Sequence, residues 1–151
     1  MGRFPGGKLA AKEMMAVFER ILLAVDGSAH SAKAVPIAGD LAFRYGGELI
    51  VFHARERDVF LGEDVESSRE AMDLVDGIVR GLKNAGVSAR GEVVRVPHGA
   101  TPRAILDATR DEHADLIVMG TRGLSEWGGL LLGSDAHKVV HLADLPVLVV
   151  R

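Results

Sequence analysis

The sequence predicts an α/β fold, a three-layer sandwich with a five-stranded parallel sheet between helices, on three observations. Short continuous apolar runs of strand length recur along the chain, among them ILLAV, ELIVF, DLIVM and PVLVV. Segments between them carry apolar residues at helical spacing. A glycine-rich stretch, GTRGLSEWGGLLLGS, follows the fourth strand directly and leads into the last helix. Apolar runs without alternation suit parallel strands covered on both faces, and parallel neighbours need the crossover connections that helices supply.

Residues 1–18 hold Pro5 and Gly6-Gly7 ahead of any strand pattern and read as an N-terminal extension or leader, which places the domain at 19–151. ILLAV (21–25) is the first strand. A helix follows with Ala34, Ile37, Ala38, Leu41, Ala42 and Tyr45 as its inner face; Pro36 predicts a kink and Gly46-Gly47 a stop. The second strand is ELIVFHA (48–54), and the charged, aperiodic RERDVFLGEDVESS after it reads as a mobile connection. Met72, Val75, Ile78, Val79 and Leu82 form the inner face of the second helix, with Gly77 and Gly81 weakening it and Gly86 beyond its end. EVVRV (92–96) is the third strand, and Thr101-Pro102 reads as N-cap and first residue of a helix to about Arg110. ADLIVMG (114–120) supplies the fourth strand. A last helix buries Ala136, Val139, Val140 and Ala143, and PVLVV (146–150) closes the sheet.

At 151 residues and 48% hydrophobic content, the chain has enough apolar surface for one full core. The net charge of −3, with Lys and Arg scattered, gives no basic stripe, so nucleic acid is not an expected partner. The lack of cysteine excludes disulfides and thiolate chemistry. No apolar run approaches the ~20 residues a membrane helix needs, and Arg3 and Lys8 precede no continuous apolar core, so no membrane role or secretory signal is expected and the default location is cytoplasmic.

Ligands of parallel α/β sheets bind beyond the carboxyl ends of the strands where strand order reverses, and the loops after strands one and four both lie on that edge. This brings Asp26-Gly27-Ser28 towards the glycine loop, whose Gly120, Gly123, Gly133 and Ser134 read G-x2-G-x9-G-S. Two readings of that spacing stand. Backbone amides and a helix N-terminus there cradle a phosphate, or the glycines merely let a surface loop turn and Ser134 caps a helix. Gly128 to Ser134 outlines G-x-x-x-x-G-S without the lysine of a phosphate-binding P-loop. Asp26 likewise reads as a ligand contact or as half of an Asp-Gly turn. His137 and His141 have zinc-compatible spacing but no intervening Glu, and read as a polar helix flank. His53 ends a strand at the ligand edge, as a pocket residue or one bonded to backbone; Trp127 sits mid-loop as a lid, a partner contact or an anchor. The chain shows no nucleophile elbow, Ser-His-Asp order or paired-carboxylate spacing for fast turnover.

ILLAVDGS, LIVFHA, HGATPRAIL, ADLIVMGTRG and LLLGS together resemble the universal stress protein family, over nearly everything from Arg20 to Arg151. The resemblance implies a Rossmann-like, adenine-nucleotide-binding topology and, through the G-x2-G-x9-G-S loop, the branch that binds ATP. By position it implies Asp26 near the ribose and a Mg²⁺ ion, the Ala54 backbone at the adenine, Gly120 by the ribose, and Gly123, Gly133 and Ser134 by the phosphates. Arg122 is the only cation of the loop. The resemblance also implies a homodimer through the last strand (146–150); with no engine for fast turnover, the chain reads as a nucleotide-responsive regulatory or stress-response protein. Asp135 departs from the family, which more often has an apolar residue there; its carboxylate competes with phosphate for the helix N-terminus or helps hold Mg²⁺. Glu126 and Gly128-Gly129 stand where relatives often carry a basic residue. Two other functions fit the same fold: an interaction scaffold without nucleotide, and slow ATP hydrolysis with Asp26 placing metal and water.

Overall fold

A computed structural model describes residues 18–57, 64, 66–121 and 132–151. In chain order its elements are β1 (Arg20–Ala24), α1 (Ala29–Tyr45), β2 (Glu48–Arg57), α2 (Ser68–Asn84), β3 (Ser88–Pro97), α3 (Thr101–Asp111), β4 (Leu116–Gly120), α4 (Ser134–Leu142) and β5 (Val147–Val150). The five strands form one parallel sheet in the order β3-β2-β1-β4-β5. Strand order therefore reverses between β1 and β4, whose register runs from Ile21↔Leu116 to Ala24↔Met119.

Alternation along each central strand sends side chains to two separate cores. Ile21, Leu23, Leu49, Val51, Leu116 and Val118 pack under α1 and α2 with Ala34, Ala38, Val75 and Leu82. Leu22, Ala24, Phe52, Ile117 and Met119 pack on the opposite face with Ile105, Leu106, Ala136 and Val139 of α3 and α4. Both faces being covered is what the uninterrupted apolar runs encode.

The helical faces differ in detail from those the spacing predicts. In α1 the buried residues are Ser31, Ala34, Ala38, Gly39 and Ala42, while Ile37 and Tyr45 are exposed. Small residues there let the helix lie close to its neighbours; a Cβ at Gly39 would already meet the Leu82 side chain of α2 at 2.8 Å. Helix α1 runs uninterrupted through Pro36, which lies on the exposed face, where water can serve the carbonyl that loses its donor. Gly46, at φ 65°, ends it. The inner face of α2 is Ala71, Leu74, Val75, Ile78, Val79 and Leu82, with Met72 exposed. Its start is a reciprocal capping box: Ser67 Oγ accepts from Glu70 N–H, and the Glu70 carboxylate accepts from Ser67 N–H. In α4, Ala136 and Val139 are buried and Val140 is exposed.

The charged stretch after β2 is in part ordered, contrary to its reading as a mobile connection. β2 continues to Arg57 in register with β3, and Arg55 is buried, paired with Asp64 and donating to Ser68 Oγ and the Glu66 carbonyl. Residues 58–63 and 65 of that stretch lie outside the described residues.

On edge strand β3, Glu92 Oε2 is buried without a hydrogen-bond partner among the described residues. Burial, reinforced by Glu112 and Asp111 against Arg90, holds its carboxyl above the ordinary range. A carboxyl raised on folding stabilises the protonated protein, and that contribution is lost as pH rises through the folded value. Glu92→Gln should therefore raise stability at pH 7 and flatten its fall above the normal carboxylate range, as urea titrations across pH would show.

Candidate nucleotide-binding cleft

The carboxyl ends of β1 and β4 open into a cavity of about 650 Å³, within the size of small-molecule sites. Asp26, Ala54, Gly120, Gly133, Ser134 and Asp135 all line it, so the fold brings together candidates far apart in sequence. Arg122 and Gly123, like Glu126, Trp127 and Gly128-Gly129, lie outside the described residues.

Each wall has a local cause. Gly27, at φ 79°, turns the chain after β1; Asp26 Oδ1 accepts from Ser28 N–H at 2.9 Å, and Ser28 Oγ caps α1 by accepting from Ser31 N–H at 3.1 Å. Asp26 is thus both a turn residue and a wall of the cavity. Gly120 ends β4 against the first turn of α1, where a Cβ would meet the His30 carbonyl carbon at 2.7 Å and Ser31 N at 2.8 Å. Close packing alone demands a glycine at 120. Thr101, expected to cap α3, instead donates its hydroxyl to Glu56 Oε1 at 2.8 Å, and α3 has no side-chain cap.

Ala54 is placed by register. Residues 48 and 52 of β2 bond towards β1 and its extensions, through Glu48 N–H to Glu19 O and Val25 N–H to Phe52 O. In a parallel ladder one residue's N–H and C=O point to the same neighbour, and direction alternates with each residue. Ala54 therefore points both groups to the side of β1, which has ended at Ala24. A backbone donor and acceptor face the cavity there.

At the other end, Gly133 precedes α4 and its N–H donates to Thr121 O at 2.7 Å, so that amide is already bonded and is not a bare phosphate donor. The first-turn amides of Ser134, Asp135 and Ala136 have no intrahelical acceptor, and α4 has no side-chain cap. Asp135 lies in that turn with Lys138 one turn on. Burial first, then the charges of Glu56 and Asp26, hold the Asp135 carboxyl above its ordinary value; Lys138 and a hydrogen bond with Ser134 act the other way.

Glu56, Glu66 and Lys138 line the cavity without any sequence signal of their own. Glu56 is pinned by Thr101, by Gly99 N–H at 3.2 Å and by His98 Nδ1 at 2.8 Å. His53 is buried and bonded on both sides, through Nδ1 to Val25 O at 2.7 Å and Nε2 to Glu66 Oε2 at 2.6 Å. A carbonyl only accepts, so Nδ1 carries hydrogen, and the Nε2 contact then needs a second proton on His53 or one on Glu66. Both readings of this histidine hold, since it bonds backbone and lines the cavity. His53→Leu should cost about 1–3 kcal/mol in chemical denaturation, because Val25 O and Glu66 lose their partner together.

The hard oxygens of Asp26 and Asp135 suit a magnesium ion by type. Among the described residues no group of three or more His, Cys, Asp or Glu side chains forms a metal centre. No described helix is long and apolar enough to cross a membrane.

Residues 18–151 match the Universal stress protein family. A universal stress protein of Thermus aquaticus is 41% identical over 138 residues, spanning 89% of this chain and 100% of that protein. Among solved structures, a universal stress protein from Archaeoglobus fulgidus aligns with TM-score 0.74 at 24% identity, over 89% of this chain and 100% of its own. Another, a universal stress protein in complex with cAMP, aligns with TM-score 0.61 at 27% identity, over 89% and 98%.

Proposed function

Since the chain belongs to the universal stress protein family, we propose that it binds an adenine nucleotide in the cleft between β1 and β4 and acts as a nucleotide-responsive regulatory protein. The observation that carries this reading is the direction of the Ala54 backbone. Adenine offers an acceptor at N1 beside a donor at N6, which matches an N–H and C=O from one strand residue; guanine presents the reverse at those positions. The apolar side chains of Ile105 and Met119 line the same cavity and supply non-polar surface for a base. The relative crystallised with cAMP supports the choice of base.

In this reading the ribose lies by Asp26 and Gly120, and the phosphate end by Ser134 and the first turn of α4, with Gly123 and Arg122 of the loop completing it. A Mg²⁺ ion carried by phosphates meets the Asp26 carboxylate. Edge strand β5 is apolar and hydrogen-bonded on one side to β4, and is where we place a second copy of the chain. The test is calorimetric titration with AMP and GMP. AMP should bind, with GMP at least tenfold weaker; equal affinity for both would contradict recognition through Ala54.

A further inference from the structure

We infer that His137 and His141 form a chelating site for a divalent transition ion, with Zn²⁺ as its representative, on the exposed face of α4. The site lies outside the cleft and does not depend on the nucleotide reading.

The two histidines stand one turn apart on α4, where side chains four residues apart are neighbours. Both are exposed, and their rings lie side by side with centres 6.3 Å apart and planes 14° from parallel. Two imidazoles bound to one zinc, each nitrogen about 2.0–2.1 Å from the metal, have ring centres about 5–6 Å apart. Closing the pair onto an ion therefore needs side-chain rotation and no movement of the helix. Among the described residues neither ring has a hydrogen-bond or ion-pair partner, so no existing contact has to break. His141 lies in the last turn, where unpaired carbonyls form the negative end of the helix dipole and favour a cation. Lys138, which stands between the two in sequence, lines the cleft instead. The missing glutamate of a His-Glu-x-x-His motif does not weaken the site, because that carboxylate is a general base while the two histidines do the binding. Two protein ligands leave the remaining positions of a tetrahedral ion to water or to a donor from another molecule. Imidazole donors suit zinc, copper or nickel, whereas magnesium takes oxygen.

The test is calorimetry of the untagged full chain with ZnCl₂ and with MgCl₂, on wild type, His137→Gln and His141→Gln. Both positions are exposed, so the variants should keep the wild-type circular dichroism spectrum. Wild type should bind Zn²⁺ at least tenfold more tightly than either variant, while the response to Mg²⁺ is the same in all three proteins. In wild type the ring resonances of His137 and His141 should shift together as Zn²⁺ is added, a readout that needs no variant to fold. Failure of wild type to bind Zn²⁺ overturns the inference. So does wild-type Zn²⁺ affinity in either folded variant, or a shift of one ring without the other, since the ion is then not held by the pair; a matching loss of Mg²⁺ binding in the variants overturns the imidazole chemistry.

Discussion

Replacing Ala54 by proline should reduce adenine nucleotide affinity at least tenfold while leaving the sheet assembled. Proline in a central strand normally removes a ladder bond and is confined to edges and bulges. Position 54 behaves as an edge on one side, because β1 ends at Ala24 and the Ala54 N–H points past that end. The bonds to β3 come from the neighbouring residues of opposite direction, His53 and Arg55, which the change leaves in place. What is lost is the donor offered to adenine N1, and the pyrrolidine ring occupies the same space. Calorimetry with AMP reads the binding and circular dichroism the fold. Unchanged AMP affinity in a folded variant would remove Ala54 from recognition.

Gly120→Ala should destabilise the protein by about 1–3 kcal/mol, the usual range for forcing extra atoms into a packed core. Here the obstacle is backbone: the new Cβ lies 2.7 Å from the His30 carbonyl carbon and 2.8 Å from Ser31 N, which cannot rotate aside as a side chain would. At this chain length the loss corresponds to a fall in Tm of roughly 2–4 °C per kcal/mol. Because the Ser28 cap and the Asp26 turn sit on the same first turn of α1, the displacement reaches the cleft as well. A variant as stable as wild type would show that α1 yields freely there, and would leave Gly120 with a ligand role alone.

The sequence made the sheet legible because burial on both faces writes itself as unbroken apolar runs, and β1, β4 and β5 fall within two residues of those runs. It misled at the helix faces. Ile37, Met72 and Val140 have the right spacing for an inner face, yet the close approach of α1 and α2 to the sheet selects small residues, Ala38 and Ala71, one position away from two of them. The extension of β2 to Arg57 was hidden because its stabilisers, Asp64, Glu66 and Ser68, act across the fold on a charged strand that has no apolar pattern.

Much the same holds for the cleft. Asp26, Gly120 and Ser134 announce themselves by turn chemistry and loop spacing, and they do meet. Glu56, Glu66 and Lys138 look like ordinary surface charges until the topology folds them around one space. Gly133 shows the converse, since a glycine at the right spacing has its amide bonded to Thr121. Spacing located the loop without saying which of its donors are open.

The most direct measurement is the amide resonance of Ala54 in protein labelled with ¹⁵N-alanine, followed through titration with AMP. Recognition of adenine by the Ala54 backbone predicts a saturable downfield shift of that resonance, with GMP producing none at equal concentration. An Ala54 amide that stays in place while AMP saturates the protein, or that responds alike to both nucleotides, would contradict it.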